Sequence, residues 1–152
     1  MFRTGLMIAL AFVFACQLSA QEIEETNGVY YSDSKPYTGT LTSYYEDGKV
    51  KAESSVKKGR KDGFFRQYDE KGNLIELGHY RKNQMHGLWT SWNEKGIKTG
   101  EANYQKGLKH GKWQIWDENG HLLYEMFYAK GNKTGTWKKY APDGSLLSSQ
   151  EF

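Results

Sequence analysis

The sequence predicts an all-β fold: a repeat array of five 24-residue antiparallel β-hairpins forming one elongated twisted sheet. Three observations predict it. Gly39, Gly63, Gly87, Gly111 and Gly135 recur every 24 residues without insertion or deletion, the last unit being shorter. Fixed-period self-similarity marks an array of small pieces, none of which buries its apolar face alone. Each glycine is followed two positions on by Leu41, Phe65, Trp89, Trp113 or Trp137, and three further on by Tyr44, Tyr68, Trp92, Trp116 or Tyr140. Every unit then carries a turn signal, Glu-Asp-Gly48, Glu-Lys-Gly72, Glu-Lys-Gly96, Glu-Asn-Gly120 or Pro-Asp-Gly144, which predicts a hairpin loop of three to five residues.

Taken in order, residues 1–20 read as a signal peptide. Arg3 precedes a wholly apolar run over residues 6–15, and small residues lead to a cut after Ala20. Two alternatives stand beside simple export: Val13-Phe14-Ala15-Cys16 is similar to a lipobox that would leave Cys16 lipidated, and the segment also suits an uncleaved anchor. Cleavage after Ala20 removes the one cysteine, which excludes a disulfide framework and thiol catalysis. It also removes one base, Arg3, and no acid, so 21 basic against 18 acidic residues becomes 20 against 18. Such a balance speaks against a nucleic-acid binder, which carries a clustered basic face.

Residues 21–38 hold an acidic, polar stretch, expected to be a short flexible leader, and a capping strand with a turn over residues 28–38. The repeat units follow at 39–62, 63–86, 87–110, 111–134 and 135–152. After each turn a second extended run starts at Val50, Leu74, Leu122 or Leu146 and ends at Val56, Tyr80, Tyr104, Tyr128 or Phe152. The third unit departs, with Ile97 one place early and Lys98 in the apolar slot. A longer polar connection is expected between units, for example Lys58-Gly59-Arg60-Lys61-Asp62. Isolated hairpins are marginal in water, so the units are expected to pair edge to edge into about ten strands, equivalent residues lying about 10 Å apart. The polar Ser148-Ser149-Gln150-Glu151 suits an exposed edge. Aromatic columns three residues apart either face opposite ways or are brought together by a bulge.

The pattern resembles the MORN repeat variant family, and especially bacterial exported arrays built on Asp-Gly-x-Trp-x-x-Tyr units. Asp62-Gly63, Gly87-Leu88-Trp89-Thr90-Ser91-Trp92, Gly111-Lys112-Trp113-Gln114-Ile115-Trp116 and the entry Lys35-Pro36-Tyr37-Thr38-Gly39 carry the likeness. The resemblance implies protein interaction, in some members membrane-lipid contact, and in some bacterial members an antitoxin label of the YwqK type. It brings no catalytic motif onto these residues.

The candidate sites are weighed by the same spacing. His86 and His110 share a column, but about 10 Å is too far for both to ligate one zinc, so they read as solvated loop residues beside His79 and His121. Glu53, Glu101 and Glu125 share another column and read as solvated partners of lysines such as Lys51 rather than a catalytic pair. Lys58, Lys82, Lys106 and Lys130 form a basic row that either protects solubility or meets anionic headgroups. Trp89, Trp92, Trp113, Trp116, Trp137 and Tyr140 are core where units stack, or an interaction platform where a column faces solvent. No phosphate loop, nucleophile triad or dinucleotide fingerprint is present, and the breaks at Lys98, Gly100 and Met126 make no chemical constellation. The expectation is a non-enzymatic exported module, without cofactor or metal, that binds a protein partner. The alternatives are an envelope-surface protein that binds anionic lipid, and an antitoxin-like binding partner.

Overall fold

The computed structural model describes residues 22–152, so Arg3, Cys16 and the expected cut after Ala20 lie outside the described residues. A small sheet comes first: β1 (Glu24–Thr26), β2 (Val29–Ser32) and β3 (Lys35–Pro36). The array follows as β4 (Gly39–Tyr44), β5 (Val50–Lys57), β6 (Arg60–Tyr68), β7 (Leu74–Arg81), β8 (Gln84–Met85), β9 (Gly87–Trp92), β10 (Lys98–Gln105), β11 (Leu108–Trp116), β12 (Leu122–Ala129), β13 (Asn132–Tyr140) and β14 (Leu146–Glu151). From β4 to β14 these make one antiparallel sheet in chain order, with the short β8 paired to β7 beside β9. The five predicted hairpins are β4–β5, β6–β7, β9–β10, β11–β12 and β13–β14.

Two kinds of turn alternate along the ribbon. Inside each hairpin, five residues make the loop, closed by hydrogen bonds such as Asp69 N–H to the Asn73 carbonyl (2.9 Å) and Gly72 N–H to the Asp69 carbonyl (2.9 Å). The Asp69 and Asp117 side chains also accept from backbone N–H groups inside their loops, which is how aspartate fixes a turn. Just past every loop the register shifts by one residue, a β-bulge repeated in all five hairpins.

The connections between units differ from expectation. In place of a longer polar connection, only two residues link β5 to β6, β7 to β8, β10 to β11 and β12 to β13: Lys58-Gly59, Lys82-Asn83, Lys106-Gly107 and Lys130-Gly131. Both residues of each pair have positive φ, between 50° and 89°, the signature of a type I′ turn whose twist matches the flanking strands. The charged residues that follow, such as Arg60 and Lys61, belong to strands. Each turn also docks on its predecessor, since Asn83, Gly107 and Gly131 donate N–H to the Lys61, Met85 and Lys109 carbonyls at 2.8–2.9 Å.

The segment ahead of the repeat units also departs from expectation. Glu24–Thr26 is not a flexible leader but a strand, folded onto β2 through a tight Asn27-Gly28 turn with both φ positive. The small sheet covers the first of the unit-to-unit turns: Tyr30 N–H donates to the Gly59 carbonyl (2.8 Å) and Gly59 N–H to the Tyr37 carbonyl (2.7 Å). Asn83 Nδ2 reaches the Gly28 carbonyl at 2.7 Å.

No second layer packs on the large sheet among the described residues. Val56, Trp89 and Met126, at 3%, 4% and 9% exposure, are its buried apolar side chains. Burial is therefore lateral, side chain against cross-strand neighbour, which is the unit of sheet stabilisation.

Candidate interaction surface

Register decides which columns share a face. Phe65 pairs with Gly78, Trp89 with Ala102 and Trp113 with Met126, and the residues two further on, Tyr80, Tyr104 and Tyr128, point the same way. On this ladder face the two columns interleave into one run: Phe65, Tyr80, Trp89, Tyr104, Trp113, Tyr128, Trp137, Phe152. Successive ring centroids lie 4.8–6.3 Å apart, most of them edge-on or tilted, the arrangement aromatic quadrupoles favour. Tryptophan serves here for its N–H as well as its size. Trp89, Trp113 and Trp137 each donate from Nε1 to a backbone carbonyl on a neighbouring strand of the sheet, of His79, Asn103 and Phe127, at 2.9–3.2 Å. Trp89 lies so close over Gly78 that a Cβ there would collide with the indole.

Lysines roof this ladder. Lys61 Nζ lies 5.3 Å from the Tyr80 ring, Lys109 Nζ 4.5 and 4.9 Å from Trp113 and Tyr128, and Lys133 Nζ 4.4 and 4.5 Å from Trp137 and Phe152. These are cation–π contacts. Burial pushes the Tyr80 and Tyr104 hydroxyls above their usual range, and the Glu76 carboxylate nearby adds to it.

Three residues after each ladder position, the second column falls on the back face, so the two columns point opposite ways. It pairs Tyr44 with Val50, Tyr68 with Leu74, Trp92 with Lys98, Trp116 with Leu122 and Tyr140 with Leu146. Trp92, Trp116 and Tyr140 are half-buried, Tyr44 is exposed, and none of these rings joins a ring pair among the described residues. Lys98, the lysine in an apolar slot, extends over Trp116 at 4.1 Å and reaches Glu101 Oε1 at 2.8 Å. Beside the stripe runs the glutamate column. Glu53 meets Arg66 at 3.7 Å, Glu101 meets Lys98, and Glu125 meets Lys112 at 2.7 Å, so the expected partner Lys51 is replaced by cations that face the same way. Lys51 is instead the extra residue of its bulge, over the Tyr45 ring.

Turns and loops divide the charge between the two rims. The unit-to-unit turns carry Lys58, Lys82, Lys106 and Lys130 flanked by Lys57, Arg60 and Arg81, whereas the loops carry Glu46, Asp69, Glu70, Glu94, Asp117 and Glu118 with fewer bases. All four row lysines are exposed and hold left-handed backbone. His86 and His110 are not solvated loop residues. They are half-buried beside the turns, and His110 Nδ1 lies 3.5 Å from the Lys130 N–H, in the place where Thr38 Oγ1 accepts from Lys58 at 2.9 Å. His121 pairs with Asp117 at 3.0 Å. Among the described residues no three His, Cys, Asp or Glu side chains come together as a metal site.

Of the residues singled out by sequence, the structure thus sends Trp89, Trp113 and Trp137 to one face, Trp92, Trp116 and Tyr140 to the other, and the lysine row to a rim. Sequence reasoning missed Lys61, Lys109 and Lys133 over the rings, and Glu76, an acid on the ladder face. The parity of each column relative to Trp89 was the available signal.

The model of the MORN repeat variant family matches residues 37–58, 61–82, 109–130 and 133–152, four copies that lie in phase with the hairpins. No curated protein matches the chain. Among solved structures, one similar chain belongs to the crystal structure of a GtfA/B complex bound to UDP and GlcNAc, at 14% identity and a TM-score of 0.30, covering 99% of this chain and 28% of that one. A likeness that loose carries no argument about fold or function. The fold rests on the strands described above, and with matched copies over more than half of its length the chain belongs to the MORN repeat variant family.

Proposed function

We propose that the chain is a non-enzymatic, exported protein-interaction module that holds a partner polypeptide on the back-face stripe of Tyr68, Trp92, Trp116 and Tyr140. One observation carries this reading: these rings are half-exposed on a sheet that has no second layer among the described residues, and none belongs to the ladder that binds the strands together. Rows of rigid aromatic side chains at about 10 Å spacing suit the anchor residues of an interface, where Trp and Tyr dominate binding energy. The paired glutamate column beside them supplies a polar rim.

The test is proximity labelling in the native host with the full chain and a Trp116→Ser/Tyr140→Ser variant. The expected result is a set of envelope or extracellular proteins whose labelling drops at least tenfold in the variant while the circular dichroism is unchanged. Equal labelling by both chains overturns the stripe. A partner set confined to the cytosol replaces export with an antitoxin-like role.

A second reading is favoured by the charge division between rims. The row lysines are exposed and form no ion pair among the described residues, and they would face an anionic membrane surface at about 1 kcal/mol per lysine. Flotation with phosphatidylglycerol vesicles, lost in a variant with all four row lysines changed to Gln, supports it; flotation indifferent to those changes removes it.

A further inference from the structure

The repeat is interrupted in one place. The family matches pass from residue 82 to residue 109, over most of the third unit. There the first strand is split at His86 into β8 and β9. Met85 stands in the column that elsewhere holds Lys61, Lys109 and Lys133, and Gly100 in the column that holds Tyr124 one unit later. The effect on the ladder face is a hollow of about 230 Å³. Ser91, Gly100 and Ala102 floor it, and Glu76, Tyr104 and Trp113 stand around it.

Glu76 distinguishes this hollow from the rest of the sheet. Glu53, Glu101 and Glu125 each meet a cation on the back face. Glu76 is half-buried, has no ion-pair or hydrogen-bond partner among the described residues, and pairs across the strands with the uncharged Gln67 and Ser91. Burial pushes its carboxyl above the usual range. An unpaired carboxylate in a partly desolvated setting is a standing cost that a cation relieves. The array itself shows which cation sits well against these rings. Lys61, Lys109 and Lys133 place alkylammonium groups 4.4–5.3 Å from their centroids, and the third unit lacks that lysine.

We propose that the hollow is a binding site for a primary alkylammonium group, its charge on Glu76 and its carbon chain across Gly100 and Ala102 toward Tyr104 and Trp113. The site lies on the face opposite the stripe, so it stands or falls independently of the partner proposed there. The group has two sources, a free amine or a lysine side chain of a polypeptide.

Amide NMR on the full chain tests it, with n-butylammonium, its neutral isostere n-butanol, and the peptide acetyl-Gly-Lys-Gly-amide as probes. The ammonium probe should move the Ser91, Gly100 and Ala102 amides in a saturable way, and butanol at the same concentration should not. Glu76→Gln should weaken the ammonium at least tenfold. Gly100→Tyr, which gives the third unit the residue carried by the fourth, should abolish it. Tighter binding of the peptide than of butylammonium assigns the site to a lysine side chain, and equal or weaker binding assigns it to a free amine. Absence of saturable shifts, equal shifts with butanol, or a Glu76→Gln affinity within twofold of the parent overturns the proposal. Should Gly100→Tyr fail to fold, the isosteric Glu76→Gln decides alone.

Discussion

Trp89 and Trp116 come from neighbouring hairpins and from columns three residues apart, and their surroundings differ at every point. Trp89 is 4% exposed, lies 5.3 Å from Phe65, 5.2 Å from Tyr80 and 6.3 Å from Tyr104, and donates its indole N–H to a backbone carbonyl. Trp116 on the back face has no ring neighbour of that kind among the described residues and is covered by the ammonium of Lys98. Strand alternation turns an odd spacing into opposite faces, and only one of those faces has a second column at the right parity to interleave. A repeat of aromatic residues therefore yields both a structural element and a surface from the same residue type.

The largest expected effect breaks this comparison directly. Trp89→Ala should cost about 3–5 kcal/mol, because it removes a buried ring from between three others and leaves their faces without that packing. Trp116→Ala should cost about 1 kcal/mol, in the range of surface changes that remove partial packing. Urea midpoints of the two variants are the measurement. Equal losses would mean that both faces are structural, and the stripe would no longer be free to bind.

Two glycines sharpen the same contrast. Gly78 and Gly100 both sit in strands with ordinary backbone, but a Cβ on Gly78 would run into the Trp89 indole, and one on Gly100 would meet Ser91 at 3.7 Å. Gly78→Ala should therefore destabilise by about 1–3 kcal/mol through displacement of the indole. Gly100→Ala should stabilise by about 0.5 kcal/mol, since alanine loses less conformational freedom on folding. Thermal midpoints that fall for one variant and rise for the other are the expected result.

The turn rim gives a smaller effect. Lys106 holds a φ of 53° at the first position of a type I′ turn, where asparagine is the better occupant. Lys106→Asn should raise stability by a few tenths of a kcal/mol to about 1 kcal/mol. It should also lower flotation with anionic vesicles if the row contacts a membrane.

The hairpins, their phase and their loops were legible because each rests on local chemistry: an acidic residue one or two places before a glycine, an aromatic column, an even spacing. The two-residue turns were not, because a lysine in left-handed backbone gives no sequence signal and the charged Arg60 and Lys61 look like loop. They are strand residues, and the Lys61 stem carries its head over the Tyr80 ring. The strand at Glu24–Thr26 is hidden for a related reason, since Glu24 and Glu25 are polar on a two-sided, half-solvated small sheet that needs no apolar pattern. Glu76 escaped notice because it stands one residue before Leu77, which occupies the back-face glutamate column. A single step in a strand moved it from a solvated row to the rings, and only register shows that.

Glu76 also sets the smallest effect, a pH dependence with a definite sign. Its carboxyl is raised in the folded chain by burial, above the ordinary glutamate value of 4.5 that the unfolded chain keeps. Below the unfolded value both states hold the proton and the group is neutral in the balance. Between the two values the folded state holds a proton that the unfolded state has lost, so stability falls as pH rises and stays lower above the folded value. The neighbours do not offset this: Gln67 on β6 and Ser91 on β9 carry no charge, and Tyr80 and Tyr104 remain neutral phenols whose own shifts are upward. Asp69, Asp117 and Asp143, lowered by hydrogen bonds within their loops, act in the opposite sense and lose stability as pH falls. They are common to the parent chain and to Glu76→Gln, so they cancel in the difference between the two. The urea midpoint of Glu76→Gln minus that of the parent should therefore widen as pH rises from about 4 to about 7. Saturating butylammonium should narrow it again at the upper end, because a cation in the hollow stabilises the charged form of the parent alone. A difference that is flat with pH would place the carboxylate in water, and with it the distinction between the third unit and its neighbours would lose its chemical content.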